Sequence, residues 1–222
     1  MGATIGAILA SAVGVAISPV PIIAVILMLF SGAATRNSLS FLLGWIIGLL
    51  GAGLIVLGVG LAANDSGPTT ASGVFKILIG ALFVALGVKQ WGSRPGPGDE
   101  AQMPGWMASI DDFTMGKSFG IGLLLAAVNP KNLGLTIAAA STISAAGLSS
   151  SEEIIVLVVF VVLASLAVAV PVIANLIAGE KAAPPLNTMK TWLIDNNATV
   201  MAVLFVVLGA KVLGDGIAIV AS

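Results

Sequence analysis

The chain of 222 residues contains no cysteine and no histidine, and charged residues make up only 9% of it. These two absences exclude disulfides, thiolate chemistry, imidazole acid–base catalysis and the usual protein ligands of transition metals. Nine basic residues against ten acidic ones provide no basic surface for nucleic acid. We therefore expect no metal, no cofactor and no nucleic-acid partner.

What the sequence has instead is apolar residues, which form 58% of the chain and give a mean hydropathy of +1.13. A soluble domain carries about 25% charged residues, so this composition indicates an integral membrane protein. One crossing needs about 20 apolar residues, and the charge-free runs predict six spans. They cover roughly residues 5–31, 39–62, 73–91, 117–146, 154–178 and 197–216. The run at 1–35 carries no charge and is too long for a cleaved leader, so none is expected.

The sequence also contains an internal resemblance between its two halves. "ALFVALGVK" at 81–89 and "VLFVVLGAK" at 203–211 agree at six of nine positions, and "ISPVP" at 17–21 matches "VNPKN" at 128–132 in its proline. Chance similarity between helices rich in Leu and Val is the alternative explanation. If the repeat is real, residues 1–92 and 117–222 each hold three spans, and an odd number inverts the second half. The predicted fold is all-α, with two inverted three-helix repeats joined by a polar cytoplasmic linker at 93–116, as in many secondary transporters.

The basic residues predict the orientation, because Lys and Arg concentrate in cytoplasmic loops. With the N-terminus outside, the inner loops hold Arg36, Lys89, Arg94, Lys117, Lys181 and Lys190. We therefore expect a multi-pass protein of the plasma membrane with both termini outside the cell.

The first span of each half is too long and contains proline. Residues 118–148 would form a helix of about 46 Å at about 1.5 Å per residue, whereas the hydrocarbon core is about 30 Å thick. Proline lacks an N–H donor and clashes with the preceding turn. We predict a break at Pro19, with Pro21 beside it, and a second break at Pro130.

Lys131 follows the second break and places a positive charge in an apolar segment. A charge at the bilayer centre costs about 2.5 to 3.5 kcal/mol, and the neighbouring apolar runs contain no acidic residue. The helix that resumes after Pro130 directs its positive end to the same place. These features predict a polar cavity that binds an anionic substrate, lined by Ser18, Pro19, Pro21, Asn129, Pro130, Lys131, Asn132 and Asn175. The alternative is that Lys131 extends to a membrane interface.

Two further positions give weaker signals. Pro171 and Asn175 in the fifth span are interpreted as a kink with a lining amide, and a plain structural kink is the alternative. Pro19, Pro130 and Pro171 are the candidate hinges or gates. Asp195, Asn196 and Asn197 are expected to cap the last helix, after a short interfacial helix that carries Trp192.

Several segments together resemble a known family. They are "SPVPIIAVILMLFS", "FLLGWIIGLL", "GLLLAAVNPKNLGL", "VAVPVIANL" and "TWLIDNNATVMAVLFVVLG", which extend over nearly the whole chain. They resemble the GAP family of sulfolipid- and glycopeptidolipid-addressing membrane proteins, within the LysE translocator superfamily. The resemblance implies six spans in two inverted halves, a bacterial plasma-membrane location and export of a substrate. It carries over Pro19, Pro21, Asn129, Pro130 and Lys131 as motif residues. Members of the GAP branch are associated with moving glycolipids to the surface of actinobacteria. The amino-acid exporters have a Pro-Gly-Pro turn where this chain has "SPVP", which weakens an amino-acid substrate.

The leading hypothesis is an exporter or flippase that moves a polar-headed, anionic lipid or glycolipid outward by alternating access. Membrane lipids and this substrate are the expected partners. An exporter of small solutes such as amino acids or ions is one alternative, and a non-transporting subunit of a larger lipid-export complex is another. The chain contains no Gly-rich nucleotide-binding motif and no Ser near a credible base, so we expect no enzyme activity. Gly-rich helix faces are compatible with a homodimer.

Overall fold

The structure is a computed structural model, and it describes residues 1–63, 70–96 and 104–221. The described residues form α-helices and two 3-10 segments, with no β-strand among them. The α-helices are α1 (Gly2–Ala16), α2 (Pro19–Leu29), α3 (Ala34–Ala63), α4 (Thr70–Gly92), α5 (Met115–Ala127), α6 (Pro130–Ser144), α7 (Ser150–Ala178) and α8 (Ala183–Val220). The 3-10 segments are η1 (Gly105–Asp112) and η2 (Gly179–Ala182).

Three stretches are long and apolar enough to cross a membrane: Ala34–Val59, Gly73–Gly92 and Ser150–Val220. Two helix pairs pass the same test together although each is bent, α1 with α2 by 53° and α5 with α6 by 59°. If each bent pair is one span, the described residues contain up to five such stretches. The chain is thus a helical membrane protein with several candidate spans, as its composition predicts.

The two bends lie where the sequence predicts them. Pro19 and Pro130 are each the first residue of the second helix of a pair. A proline is tolerated at this position because the first N–H groups of a helix have no acceptor within it. The same residue ends the preceding helix, because it offers no N–H to the carbonyl four residues earlier.

The helices pack into two compact units. The first comprises Met1–Ala62 and Met103–Thr191. In it α1 packs against α6 and α7, and α2 packs against α7. Its fully buried side chains come from both halves of the sequence and include Ile8, Ile26, Phe41, Trp45, Ile143 and Phe160.

Helices α3 and α5 of this first unit pack closely through glycine. A Cβ added to Gly44 would overlap the carbonyl of Phe119, and one added to Gly122 would overlap the carbonyl of Phe41. Further along α3, a Cβ on Gly48 would lie 2.8 Å from the Cβ of Ala126. From Gly44 to Gly48 on α3, the contacted residues on α5 advance from Phe119 and Leu123 to Leu123 and Ala126, so the two helices run in the same direction where they cross.

The second unit comprises Ala63–Gln102 and Trp192–Ser222, and α4 packs there against the later part of α8. A Cβ added to Gly73 would lie 3.1 Å from Gly216 O. One added to Gly80 would lie 2.9 Å from Gly209 O, and one added to Gly87 would lie 3.0 Å from Ala202 O. The positions rise by seven residues on α4 and fall by seven on α8. This spacing gives an antiparallel glycine seam, in which small residues allow the two backbones to approach.

Two local expectations need correction. α8 begins at Ala183 and continues to Val220, so Asp195, Asn196 and Asn197 lie inside this helix and do not cap it. Pro184 and Pro185 stand in its first turn, where missing N–H groups remove no helical hydrogen bond. The expected separate interfacial helix around Trp192 is therefore absent, because this segment is continuous with the last helix.

The later part of the expected linker is packed. In η1 the side chains of Met107 and Ile110 are buried, and Asn37 Nδ2 on α3 donates a hydrogen bond to Phe113 O at 2.7 Å. Residues 97–103 of the expected linker lie outside the described residues. The assignment of 1–92 and 117–222 as repeats stays a prediction, and the two compact units each combine helices from both.

Candidate functional site

The break between α1 and α2 leaves three carbonyl groups without their helical donors. Pro19 and Pro21 have no N–H, so the carbonyls of Val15 and Ile17, four residues before them, lose the hydrogen bonds of a continuous helix. The N–H of Ser18 donates to Ala16 O at 2.9 Å, and this frees the Gly14 carbonyl as well. A buried carbonyl without a donor costs about 1–3 kcal/mol, so these groups need partners.

Two side chains supply those partners. Ser18 Oγ lies 2.7 Å from Val15 O. Lys131 Nζ donates to Gly14 O at 2.7 Å and to Ile17 O at 3.2 Å. The "SPVP" motif therefore exposes carbonyls, and "NPKN" in the other half of the sequence provides the ammonium that binds them.

The second break has its own local partners. Asn129 caps α6, because its side-chain oxygen accepts a hydrogen bond from the Lys131 N–H at 3.1 Å. Asn132 Nδ2 donates to Leu125 O at 2.9 Å, which lies near the end of α5. These contacts hold the chain on either side of Pro130 and direct Lys131 toward α1.

The two breaks are joined directly through Ser18. Its Oγ accepts a hydrogen bond from Lys131 Nζ at 2.6 Å and lies 2.9 Å from Asn132 Oδ1. The hydroxyl has one proton, which Val15 O and Asn132 Oδ1 share as alternative acceptors. We call this arrangement the Lys131 clasp; it consists of the side chains of Lys131, Ser18 and Asn132 and the carbonyls of Gly14, Val15 and Ile17.

The clasp is buried and carries a net positive charge. Lys131 and Ser18 are each 3% exposed, and Asn132 is fully buried. Within the described part of the chain, no carboxylate forms an ion pair with Lys131; the ion pair found there joins Lys211 and Asp215 on α8. The carbonyl end of α1 carries a partial negative charge and offsets part of the ammonium charge. All three N–H bonds of Lys131 are occupied by oxygen atoms of the chain.

These contacts change the interpretation of Lys131 in one respect. The sequence suggests an ammonium with no compensating group, because it contains no nearby acid. The compensating groups are backbone carbonyls and a hydroxyl, which have no signature in an apolar sequence. The alternative of a side chain extending to an interface does not agree with an exposure of 3%.

The remaining candidate residues divide into two groups. Pro21 is buried in the first turn of α2, beside the clasp. Pro171 lies inside the uninterrupted helix α7 and is buried there. Asn175 lies one turn further along α7, where its carbonyl accepts a hydrogen bond from the N–H of Gly179. Among the described residues, no hydrogen bond joins the Asn175 side chain to the clasp.

Several residues of the site act through their main chain and were not predicted from the sequence. Gly14, Val15, Ile17 and Leu125 contribute carbonyls only. Counting four residues back from Pro19 and Pro21 identifies two of these carbonyls in advance. Thr136 was not predicted either; its buried hydroxyl donates to Asn132 O at 2.8 Å in the next turn of α6.

The first unit also has an apolar groove of about 350 Å³ on one flank of α1. Its lining comes from α1, α7 and the first part of α8 and consists of Leu9, Val13, Ala16, Leu163, Leu166, Ala167, Val170 and Met189. Val13 and Ala16 are sequence neighbours of the carbonyls at Gly14 and Val15. The lining of the groove is almost entirely apolar.

Comparison with known proteins identifies the family of the chain. The family model described as Sap, sulfolipid-1-addressing protein, matches residues 8–218. No curated protein matches the chain, and no solved structure matches it. The matched region includes both proline breaks, the clasp and the glycine seam. The chain therefore belongs to the sulfolipid-1-addressing protein family.

Proposed function

We propose that this protein moves a polar-headed, anionic lipid or glycolipid toward the cell surface by alternating access. The observation that carries the proposal is the Lys131 clasp, in which a buried ammonium joins two broken helices and pairs with no carboxylate of the described residues. The family description adds a role in addressing a lipid. Broken helices at a buried polar site are a common feature of secondary transporters.

The packing directions agree with six spans that alternate in direction, as an inverted arrangement requires. α7 and α8 are separate helices joined by η2, so counting them separately with α3, α4 and the two bent pairs gives six. In such an arrangement spans two and four run in the same direction, as α3 and α5 do. Spans three and six run in opposite directions, as α4 and α8 do along the glycine seam.

In the proposed cycle the structure corresponds to a closed state. An anionic headgroup replaces the Ser18 hydroxyl and the α1 carbonyls as the hydrogen-bond partner of Lys131. Charge-assisted hydrogen bonds between the ammonium and the headgroup favour this replacement. The bends at Pro19 and Pro130 act as hinges when the two helices separate. The acyl chain of the lipid remains in the groove between α1 and α7, so that only the head crosses the buried polar site.

A scaffold subunit of a larger lipid-export complex is the second candidate. It is favoured by the complete hydrogen bonding of Lys131 within the chain, because a clasp that needs no ligand is compatible with a static role. In either role we place the protein in a bacterial plasma membrane with both termini outside. A homodimer and export of a small solute remain outcomes that the experiment below distinguishes.

The test is transport by the purified protein in liposomes that contain fluorescent anionic lipid, zwitterionic lipid or radiolabelled amino acids. We expect outward transfer of the anionic lipid by the wild type. Lys131→Gln keeps an amide donor for the α1 carbonyls but removes the charge, so it should fold and lose transport. The matched control is Lys117→Gln, because Lys117 is an exposed residue at the start of α5.

Each other outcome selects an alternative. Transfer of amino acids without lipid indicates a small-solute exporter. If the wild type transports none of the probes and a stable complex is isolated from cells, the protein is a scaffold subunit. The size of that complex shows whether it is a homodimer. Full transport by a well-folded Lys131→Gln protein contradicts the role given to the ammonium.

A further inference from the structure

The oxygen atoms of the clasp form a cation-binding geometry. Lys131 Nζ is held by Gly14 O at 2.7 Å, Ile17 O at 3.2 Å and Ser18 Oγ at 2.6 Å. Val15 O and Asn132 Oδ1 lie 2.7 Å and 2.9 Å from the same Ser18 Oγ. Three oxygen atoms thus hold a single positive charge at the carbonyl end of α1, and two more are hydrogen-bonded to the hydroxyl among those three.

The chemistry of these oxygen atoms suits a monovalent cation. All five are neutral, and no carboxylate of the described residues pairs with Lys131. Carbonyl dipoles can replace the hydration shell of a monovalent ion, whereas a divalent ion requires charged oxygen ligands in most protein sites. The negative end of the α1 dipole adds to the attraction.

We propose that this oxygen cage is a site for Na⁺ or K⁺, which Lys131 occupies in the present state as a tethered substitute. When Lys131 leaves the cage to pair with an anionic headgroup, the cation takes its place at the carbonyls of Gly14 and Ile17. The exchange keeps those carbonyls bonded. It also leaves the net charge of the buried site unchanged, because Lys131 neutralises the headgroup and the cation replaces the ammonium. This coupling rests on the proposed function, but the existence of the site does not.

A thermodynamic consequence follows for the wild type. If headgroup and cation bind together, each raises the affinity for the other by the same factor. An anionic amphiphile should therefore make the wild-type protein sensitive to the cation. Without the amphiphile the ammonium competes for the cage and the sensitivity should be small.

The site is tested in detergent without lipid substrate, by thermal unfolding of Lys131→Ala. Na⁺, K⁺ and N-methyl-D-glucamine are compared at equal ionic strength, because the last is too large for the cage. We expect Na⁺ or K⁺ to raise the Tm by about 5 °C at saturation, with a hyperbolic dependence on its concentration. Addition of Ser18→Ala to this variant removes a ligand oxygen and should abolish most of the shift.

The outcomes separate this proposal from the transport proposal. Equal Tm values of Lys131→Ala in all three salts overturn the cation site, whether or not the wild type transports lipid. Lys131→Met, which leaves less space beside the carbonyls, should show a smaller shift than Lys131→Ala. If neither variant folds in any salt, an inorganic cation does not replace the ammonium and the proposal is wrong. A cation-specific shift in a protein that transports nothing leaves the site established and the transport role rejected.

Discussion

At the scale of single residues, the prolines determine which backbone groups need a partner. Pro19 and Pro21 free the carbonyls of Val15 and Ile17, and the buried Ser18 and Lys131 are the donors that reach them. Neither motif by itself therefore supplies hydrogen-bond partners for all of its buried polar groups. A "SPVP" segment without the ammonium has unbonded buried carbonyls, and the ammonium without these carbonyls is a buried charge with fewer acceptors.

Ser18→Ala tests this dependence. The substitution leaves Val15 O without its hydroxyl donor and removes one acceptor from Lys131, and we expect a loss of about 1–3 kcal/mol in stability. Thermal unfolding of the detergent-solubilised protein measures the effect. Ser109→Ala is the control, since the Ser109 hydroxyl makes the same kind of contact, to Trp106 O at 2.9 Å, but on an exposed segment. Equal losses of stability in Ser18→Ala and Ser109→Ala would show that burial of the clasp contributes nothing to the strength of its hydrogen bonds.

The sequence singles out the side chains that meet in the clasp, and their role in binding a substrate stays a prediction. Pro19, Pro130 and Lys131 are conspicuous in an apolar chain, and so are the amide and hydroxyl residues beside them. The acceptors of Lys131 are not conspicuous, because Gly14 and Ile17 act through carbonyls that every residue has. Which backbone segment faces an ammonium depends on the packing of α1 against α6, and a single sequence does not contain that information.

At the scale of elements, helix ends follow local chemistry where that chemistry is unambiguous. The breaks at Pro19 and Pro130 are placed correctly, and α7 begins at Ser150 after a capping box of Ser149 and Glu152. The predicted start of the last helix at Asn197 is wrong by fourteen residues, because the helix begins at Ala183. Asp195 and its neighbours favour a cap by local preference but lie inside the helix, and the prolines in the first turn are the better signal of its start.

Close helix packing provides an element-scale prediction. Gly44→Ala introduces a Cβ that overlaps the carbonyl of Phe119 on α5, so the two helices must separate. We expect a destabilisation of about 1–3 kcal/mol, typical of overpacking in a filled core. Thermal unfolding in detergent is again the measurement.

Gly51→Ala is the matched control for this prediction. It lies on the same helix, and an added Cβ there meets nothing within 4 Å. This variant should keep or slightly raise the stability, because alanine has the higher helix propensity. Equal destabilisation of both variants would show that glycine in α3 serves a purpose other than close approach to α5.

At the scale of the whole molecule, the compact units and the sequence halves are different divisions of the same chain. The first unit contains both broken pairs with α3 and α7, whereas the second contains α4 and most of α8. Each unit thus takes helices from both halves of the sequence, and the clasp takes one broken helix pair from each half.

The number of crossings is open to a direct test, because the chain has no cysteine and a single introduced thiol has no background. Ser109 on η1 and Ser151 in the first turn of α7 are both exposed. If the pair α5 and α6 is one bent span, these residues lie on opposite sides of the membrane. With both termini outside, an impermeant maleimide should label Ser151→Cys in intact cells and Ser109→Cys only after permeabilisation. The reverse pattern would invert the predicted orientation. Labelling of both from one side would make α5 and α6 a re-entrant loop, and the inverted six-span arrangement would then be wrong.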